Sequence, residues 1–389
     1  MFRICRFGLL MKGLPRGMFD RIVSELGADK YSKGFRCWDQ LVTMLYAQWA
    51  GATSLRDVVV GFNSQELHHY HLGTREVRRS TLADANSQRN VAVFARTAEA
   101  LMGLAHRQLR QEGRELLYLL DSSSLTLSGP GFDAWTKGNR TRNTQGLKLH
   151  VLYEAREQIP CRHSITAPNV NDVAEGMKLP IEKDAIYVFD KGYYHYGWWA
   201  DINARGARFV TRFKHNAGLT ALESLPIAAE AVGTILEDQV VQFRHKNPGG
   251  HRNNYTQSLR RVVVARPDHP TPLVLATNDM DASALTIARR YKDRWQIELF
   301  FKWIKQHLKI KRFLGQSENA VHTQILTALI AYLLLALYKQ ANGLTQSLWS
   351  LLAEFRPTLF QRPETDAAVL ARRRRQREAD LAQQPEFCL

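Results

Sequence analysis

Apolar residues along this 389-residue chain change their spacing three times. Up to about residue 105 they recur at helical intervals: Leu41, Val42, Leu45, Tyr46 and Trp49 line one side of segment 38–50, which Gly51-Ala52-Thr53-Ser54 interrupts. Ser54 with Asp57, and Thr81 with Asp84, have the spacing of capping boxes that start helices. Near Gly113 the runs become short and strand-like. Leu116 to Leu120, Gly146 to Tyr153 and Ile159 to Thr166 predict a meander of three strands, with Lys148 and His150 alternating against Leu147, Leu149 and Val151. Ala185 to Phe189 predicts a fourth strand, and Ala207 to Phe213 a fifth after a helix around 198–203. Segments 232–243, 255–265 and 273–276 are β-prone, separated by a polar loop, His245 to Asn254, and predict a β-rich insertion over 215–276. From Ser283 the pattern is helical again. Its longest apolar stretch, Ile325 to Tyr338, falls short of the roughly 20 residues of a membrane span, so it predicts a core helix and no membrane.

The resulting organisation is a helical unit over 1–105, an α/β unit over 106–214 that resumes over 277–345, the β insertion at 215–276, and a tail at 346–389 that carries the basic run Arg372 to Arg377 before an acidic, Gln-rich tip. A 45% hydrophobic composition supports a full core and excludes a disordered chain. The net charge of +16 changes the picture more: a chain of this kind expects a polyanionic partner, and nucleic acid first. The helical unit then reads as a DNA-binding domain, with Arg75, Arg78 and Arg79 as candidate phosphate contacts. Cys5, Cys37, Cys161 and Cys388 are too scattered for a disulfide framework or zinc knuckle and suit a reducing cytosol. The cluster His68-His69-Tyr70-His71 has no second Cys/His group at ligand spacing and reads as an exposed loop.

Candidate chemistry lies in acids that end apolar runs. Leu116 to Leu120 ends at Asp121, and Ala185 to Phe189 ends at Asp190. Asp172, Asp184 and Asp201 follow no such run and are set aside. The third acid is in Tyr291 to Lys305, read as one amphipathic helix. There Ile297, Phe300, Phe301, Ile304 and Leu308 form the core side, and Tyr291, Arg294, Glu298 and Lys305 fall within roughly 60° of one another. Window 289–312 holds nine Lys/Arg and two acids. A carboxylate among cations suits a metal ligand whose neighbours, Lys302 among them, grip phosphates; a solvated basic helix face is the plainer reading. Carboxylates without Cys/His partners select Mg²⁺ or Mn²⁺, and a pair of such ions serves in-line phosphoryl displacement.

These residues carry a resemblance. Tyr291, Arg294, Glu298 and Lys305 keep every spacing of the Tyr-x2-Arg-x3-Glu-x6-Lys signature of the insertion-sequence-four family of bacterial DDE transposases, and Asp190-Lys191-Gly192-Tyr193 resembles its Asp-x-Gly-Tyr block. Asn278 sits where the family often has Thr-Asn. The similarity covers about residues 30 to 345. It implies an RNase H-like α/β catalytic core interrupted by the β insertion, with Asp121, Asp190 and Glu298 as the triad binding two Mg²⁺ or Mn²⁺ ions. It further implies nicking at an element end, attack of the freed 3′-hydroxyl on the opposite strand to form a hairpin, reopening, and joining to target DNA by a homodimer synapsed on double-stranded ends. Arg294 and Lys305 would contact end phosphates and Tyr291 would help place the end. Relatives stack a flipped base on an aromatic residue of the insertion, often Trp; residues 215–276 contain no Trp, leaving Phe243 or Tyr255. A nuclease that does not join strands, and a noncatalytic DNA-binding repressor, are the competing expectations.

Overall fold

The computed structural model describes residues 4–110, 113–139, 144–244, 255–267, 269–308 and 312–363. The loop at 245–254 and the basic run Arg372 to Arg377 lie outside them. The strands are β1 (Leu117–Thr126), β2 (Lys137–Asn139), β3 (Thr144–Glu154), β4 (Ile159–Thr166), β5 (Ile186–Phe189), β6 (Arg208–Arg212), β7 (Leu219–Ser224), β8 (Ile235–Phe243), β9 (Leu259–Val264) and β10 (Leu273–Thr277).

The meander forms as the pattern predicts: β1 pairs antiparallel with β3, and β3 with β4. Strand β5 then lies parallel to β1, and β6 parallel to β5. The spatial order β4-β3-β1-β5-β6, three antiparallel strands followed by two parallel ones, is that of an RNase H-like core. The insertion does not build a sheet of its own. Strand β10 pairs antiparallel with β6, and β9, β8 and β7 follow, so one ten-stranded sheet runs through core and insertion.

Strand parity decides what each face of the sheet meets. Leu117, Leu119, Ile186, Val188 and Val210 join a large core with the N-terminal helices and the helices beyond residue 283. Their alternates Tyr118, Leu120, Tyr187, Phe189 and Phe209 join a second core with Trp198 and Trp199 of the helix Tyr196–Ala204. A parallel sheet covered on both faces needs such unbroken apolar runs. By the same parity Asp121 and Asp190 belong to the first face.

The helices Cys37–Ala50, Arg79–Gln88 and Ala92–Leu109 pack on Glu318–Ala341, so the N-terminal helical unit shares its core with the end of the chain. At 24 residues that last helix is long and apolar enough for a membrane span, contrary to the shorter reading of its sequence, yet 94% of its most apolar window is buried inside the fold. Ser54 caps the helix Leu55–Asn63 by accepting from Asp57 N, as expected. Thr81 caps nothing, because that helix already starts at Arg79. The histidine cluster is helical rather than a loop: Tyr70 is exposed, but His69 is buried, its ring stacked 4.3 Å from Phe62 and its Nε2 3.0 Å from the Phe62 carbonyl.

A buried ion pair fixes the insertion to the chain entering the site. Arg260 on β9 donates through Nε and Nη2 to Asp238 on β8, at 2.8 and 2.6 Å, and also bonds the Ala282 carbonyl just before the helix Ala284–Asp293. Removing one partner strands the other charge in the interior. Arg260→Met is expected to lower unfolding free energy by about 3–5 kcal/mol, read as a shifted denaturant midpoint.

Candidate active site

The Tyr291–Lys305 segment is two helices, Ala284–Asp293 and Trp295–His307, with Arg294 as the shared cap between them. The second buries Ile297, Phe300, Phe301 and Ile304 in the large core. The adjacent side of the helix then meets β1, where Arg294 approaches Asp121 and Lys305 reaches Ser124, with Glu298 and Lys302 beside them.

Asp121 is not the last residue of its strand. Strand β1 runs on to Thr126 because Asp121 to Thr126 stay paired with Val151 to Gly146 of β3. What ends at Leu120 is the parallel pairing with β5, where Leu120 sits opposite Phe189. Asp121 and Asp190 are therefore the next residues of two neighbouring strands. Asp190 turns its carboxylate onto the backbone N–H of Gly192 at 2.6 Å and starts the turn Lys191–Tyr193. A Cβ on residue 192 would stand 2.7 Å from Asp190 Oδ1, which explains the glycine two residues after the acid.

One guanidinium joins the remaining acid to this pair. Arg294 Nη2 donates to Glu298 Oε1 at 2.6 Å, and Nη1 stands 3.5 Å from Asp121 Oδ2. Burial pushes the Asp121 carboxyl up to about 6; the Ser122 N–H and Arg294 oppose this, while Asp190 and Glu298 reinforce it. Burial works against the Arg294 charge, but Tyr291, Glu298 and Asp121 outweigh it and hold its pKa above the usual arginine value. Asp190 and Glu298 thus act on Asp121 as like charges, and Arg294 opposes them. Among the described residues no three His, Cys, Asp or Glu side chains are grouped tightly enough to hold an ion as they stand. The donor set is nevertheless all oxygen, three carboxyl groups with no Cys or His among them, and it fits a hard divalent cation.

Tyr291 is buried beneath Arg294, whose guanidinium carbon lies 5.8 Å from its ring, and the positive charges of Arg294 and Arg212 act on its hydroxyl. Lys305 Nζ donates to the Ser124 carbonyl of β1 at 2.9 Å. Asp121, Ser122, Glu298, Phe301, Lys302 and Lys305 line a cleft of about 350 Å³, with Lys302 exposed at its rim. Arg75, Arg78 and Arg79 are exposed on the N-terminal helical unit, and none of their side chains bonds an acid of the site. Tyr255 is buried against Trp199 and Phe209 and offers no face to a base; Phe243 packs edge-on to Tyr196 and Phe213.

Asp172, set aside on sequence grounds, stands directly behind Asp121. Its Oδ1 accepts from Ser122 Oγ at 2.7 Å and Lys148 Nζ at 3.0 Å, and lies 3.5 Å from His150 Nδ1. Burial pushes His150 down to about 4, so it is neutral there. The alternation of Lys148 and His150 against apolar neighbours was the available signal, since it put two basic residues on one face of a central strand. Asn278 fixes β6 against the chain that leads to Glu298. Its side chain accepts from Phe209 N and donates to the Asn203 side-chain oxygen and the Ala207 carbonyl.

Comparisons with known proteins bear on this site. Residues 112–334 match the family described as the Transposase DDE domain, and residues 4–75 match a domain of unknown function, DUF4372. The protein y4zB of Sinorhizobium fredii, named as a transposase, is 45% identical over 266 residues, covering 68% of this chain and 72% of the relative. A Geobacillus stearothermophilus protein named as a transposase for insertion sequence element IS5377 is 27% identical over 319 residues, with 76% and 82% covered. The solved piggyBac transposase synaptic complex with hairpin DNA covers 97% of this chain and 82% of its own at 9% identity and a TM-score of 0.46, too loose a likeness to bear on the chemistry. The matched domain takes in Asp121, Asp190 and Glu298 together, and this chain belongs to the DDE transposase family.

Proposed function

We propose that this DNA transposase frees and joins the ends of an insertion sequence of the insertion-sequence-four type, with Asp121, Asp190 and Glu298 as the ligands of two Mg²⁺ or Mn²⁺ ions. The observation that carries the reading is the Arg294 guanidinium bonded to both Asp121 and Glu298 while Asp190 stands on the neighbouring strand. A cation already bridges two of the three acids. Ions bound there would supply positive charge to the attacking and leaving oxygens of an in-line displacement at phosphorus.

The chain's own groups account for the rest. Lys302 and Lys305 line the cleft beside Asp121 and Glu298 and would hold the phosphates flanking the scissile one. Arg294, released from the acids, would reach a phosphate of the DNA end. Tyr291 is kept neutral, since burial raises its pKa, and supports Arg294 from below. In the first reaction water adds to phosphorus, the P–O3′ bond breaks and a 3′-hydroxyl is left. That hydroxyl then attacks the opposite strand, displacing flanking DNA and closing a hairpin; hydrolysis reopens it, and the 3′-hydroxyl next attacks target DNA. A homodimer would hold two ends, in the cytosol on the chromosome.

The test is a labelled duplex carrying the end of the element, incubated with a supercoiled plasmid and Mg²⁺. Transfer of label into the plasmid, with a hairpin species on denaturing gels, is expected. Cleavage without transfer would make the protein a nuclease, and binding without cleavage would make it a repressor; either result overturns the reading.

A further inference from the structure

A second cleft, of about 820 Å³, lies on the insertion side of the site. It is lined by six Lys and Arg residues, Lys191, Arg212, Lys214, Arg244, Arg261 and Arg266, together with His215, and by no acid among the described residues. They come from five places in the chain: the turn after Asp190, the end of β6, the end of β8, strand β9 and the segment beyond it. Two of them shape the wall. Arg261 is bonded to Glu237 and Gln239, and Arg266 donates to the Thr271 carbonyl at 2.9 Å. Lys191, Lys214 and Arg244 are exposed, with Lys214 Nζ 4.6 Å from the Tyr194 ring centroid.

We infer that this cleft binds the sugar-phosphate backbone of the DNA strand leading away from the reacting phosphate on the Asp190 side. Like charges converging on one concave surface raise the energy of the folded chain, and a polyanion is the ligand that relieves it. The cleft adjoins the acid site, because Lys191 follows Asp190 directly and the charge of Arg212 acts on Tyr291, which lies under Arg294. It borders a different part of the triad from the Lys302 and Lys305 cleft, so the two together give DNA a path across the acids. Of the rings in its lining Phe213 is buried and His215 is exposed, so charge dominates the surface that a strand would meet. The cleft therefore grips mainly backbone. This inference rests on the transposase reading of the acids.

The experiment compares two triple variants of the full chain with equal loss of charge. One is Lys191→Gln, Lys214→Gln and Arg244→Gln in the cleft; the other is Lys178→Gln, Lys183→Gln and Arg205→Gln, on exposed cations outside it. Binding to a labelled duplex is followed by anisotropy in EDTA across a salt series. The cleft variant is expected to bind at least about tenfold more weakly, on element-end and unrelated duplex alike, and its plot of log affinity against log salt to flatten by roughly 2 to 3. The outside variant should stay within about twofold of wild type. Equal losses in both variants, or none in the cleft variant, would overturn the inference. Circular dichroism spectra and melting curves separate misfolding from lost contacts, and single Lys214→Gln and Arg244→Gln variants repeat the test if the triple is unstable. Because EDTA removes any dependence on the acids, a wild-type protein that never joins DNA would sink the catalytic reading and leave this result standing.

Discussion

Glu298→Gln is expected to reduce strand joining by at least about a thousandfold and to leave DNA affinity within about threefold of wild type. A thousandfold corresponds to about 4 kcal/mol of transition-state stabilisation. Glutamine keeps the size of the side chain, and its amide oxygen still accepts from Arg294, so the helix Trp295–His307 remains seated by Ile297, Phe300, Phe301 and Ile304. What disappears is one of three negative charges that a divalent ion needs. Asp190→Asn should behave alike, since its oxygen still accepts from Gly192 N and preserves the turn. The repressor reading forecasts the reverse: both variants would act in the cell as wild type does. Joining that survives either change within tenfold removes Asp190 or Glu298 from the chemistry, whichever variant retains it.

The parts of this site that were legible in sequence are those set by local pattern. Apolar runs ending in Asp121 and Asp190 marked two adjacent strands, and helical spacing separated Glu298 from the core side of its helix. What the pattern could not carry was decided by partners. Ser122 to Thr126 look like a turn, yet they remain strand because β3 pairs with them through Gly146. Gly146 can approach that closely only without a side chain: its φ is 144°, and a Cβ would stand 2.0 Å from the Leu125 carbonyl oxygen. Strand β7 lacks apolar alternation because it lies at the exposed edge of the sheet, where one neighbour suffices. The break at Arg294 is slight, since its backbone keeps right-handed helical angles (φ −51°, ψ −30°), and residue spacing does not mark it. The basic cleft was invisible because its six cations are spread from residue 191 to residue 266 and meet only through sheet register. Asp172 was passed over by a rule about strand ends, whereas its position is fixed by Lys148 and Ser122 across the sheet.

Chelating divalent ions with EDTA should reduce joining to background, and Mn²⁺ binding to the DNA-free protein should weaken as pH falls through 6. The sign follows from Asp121. Burial beside Asp190 and Glu298 raises its folded pKa to about 6, above the ordinary carboxyl value of 3.8. For the metal-free protein this means stability from this group is fullest below pH 3.8 and is lost as pH rises through 6, because an ionised Asp121 is disfavoured in the fold. A bound cation needs that same ionised form, so metal and proton compete for one carboxylate. From pH 7 to pH 5 the ionised fraction falls about tenfold, and apparent Mn²⁺ affinity should fall by the same factor, measured by the ion's paramagnetic resonance signal. Arg294 supplies the internal control. It is the cation that already compensates Asp121 and Glu298, so Arg294→Gln should strengthen Mn²⁺ binding at pH 7 even as it weakens the grip on DNA. Affinity that is flat from pH 5 to pH 7, and unmoved by the Arg294 change, would mean that the ion binds away from Asp121.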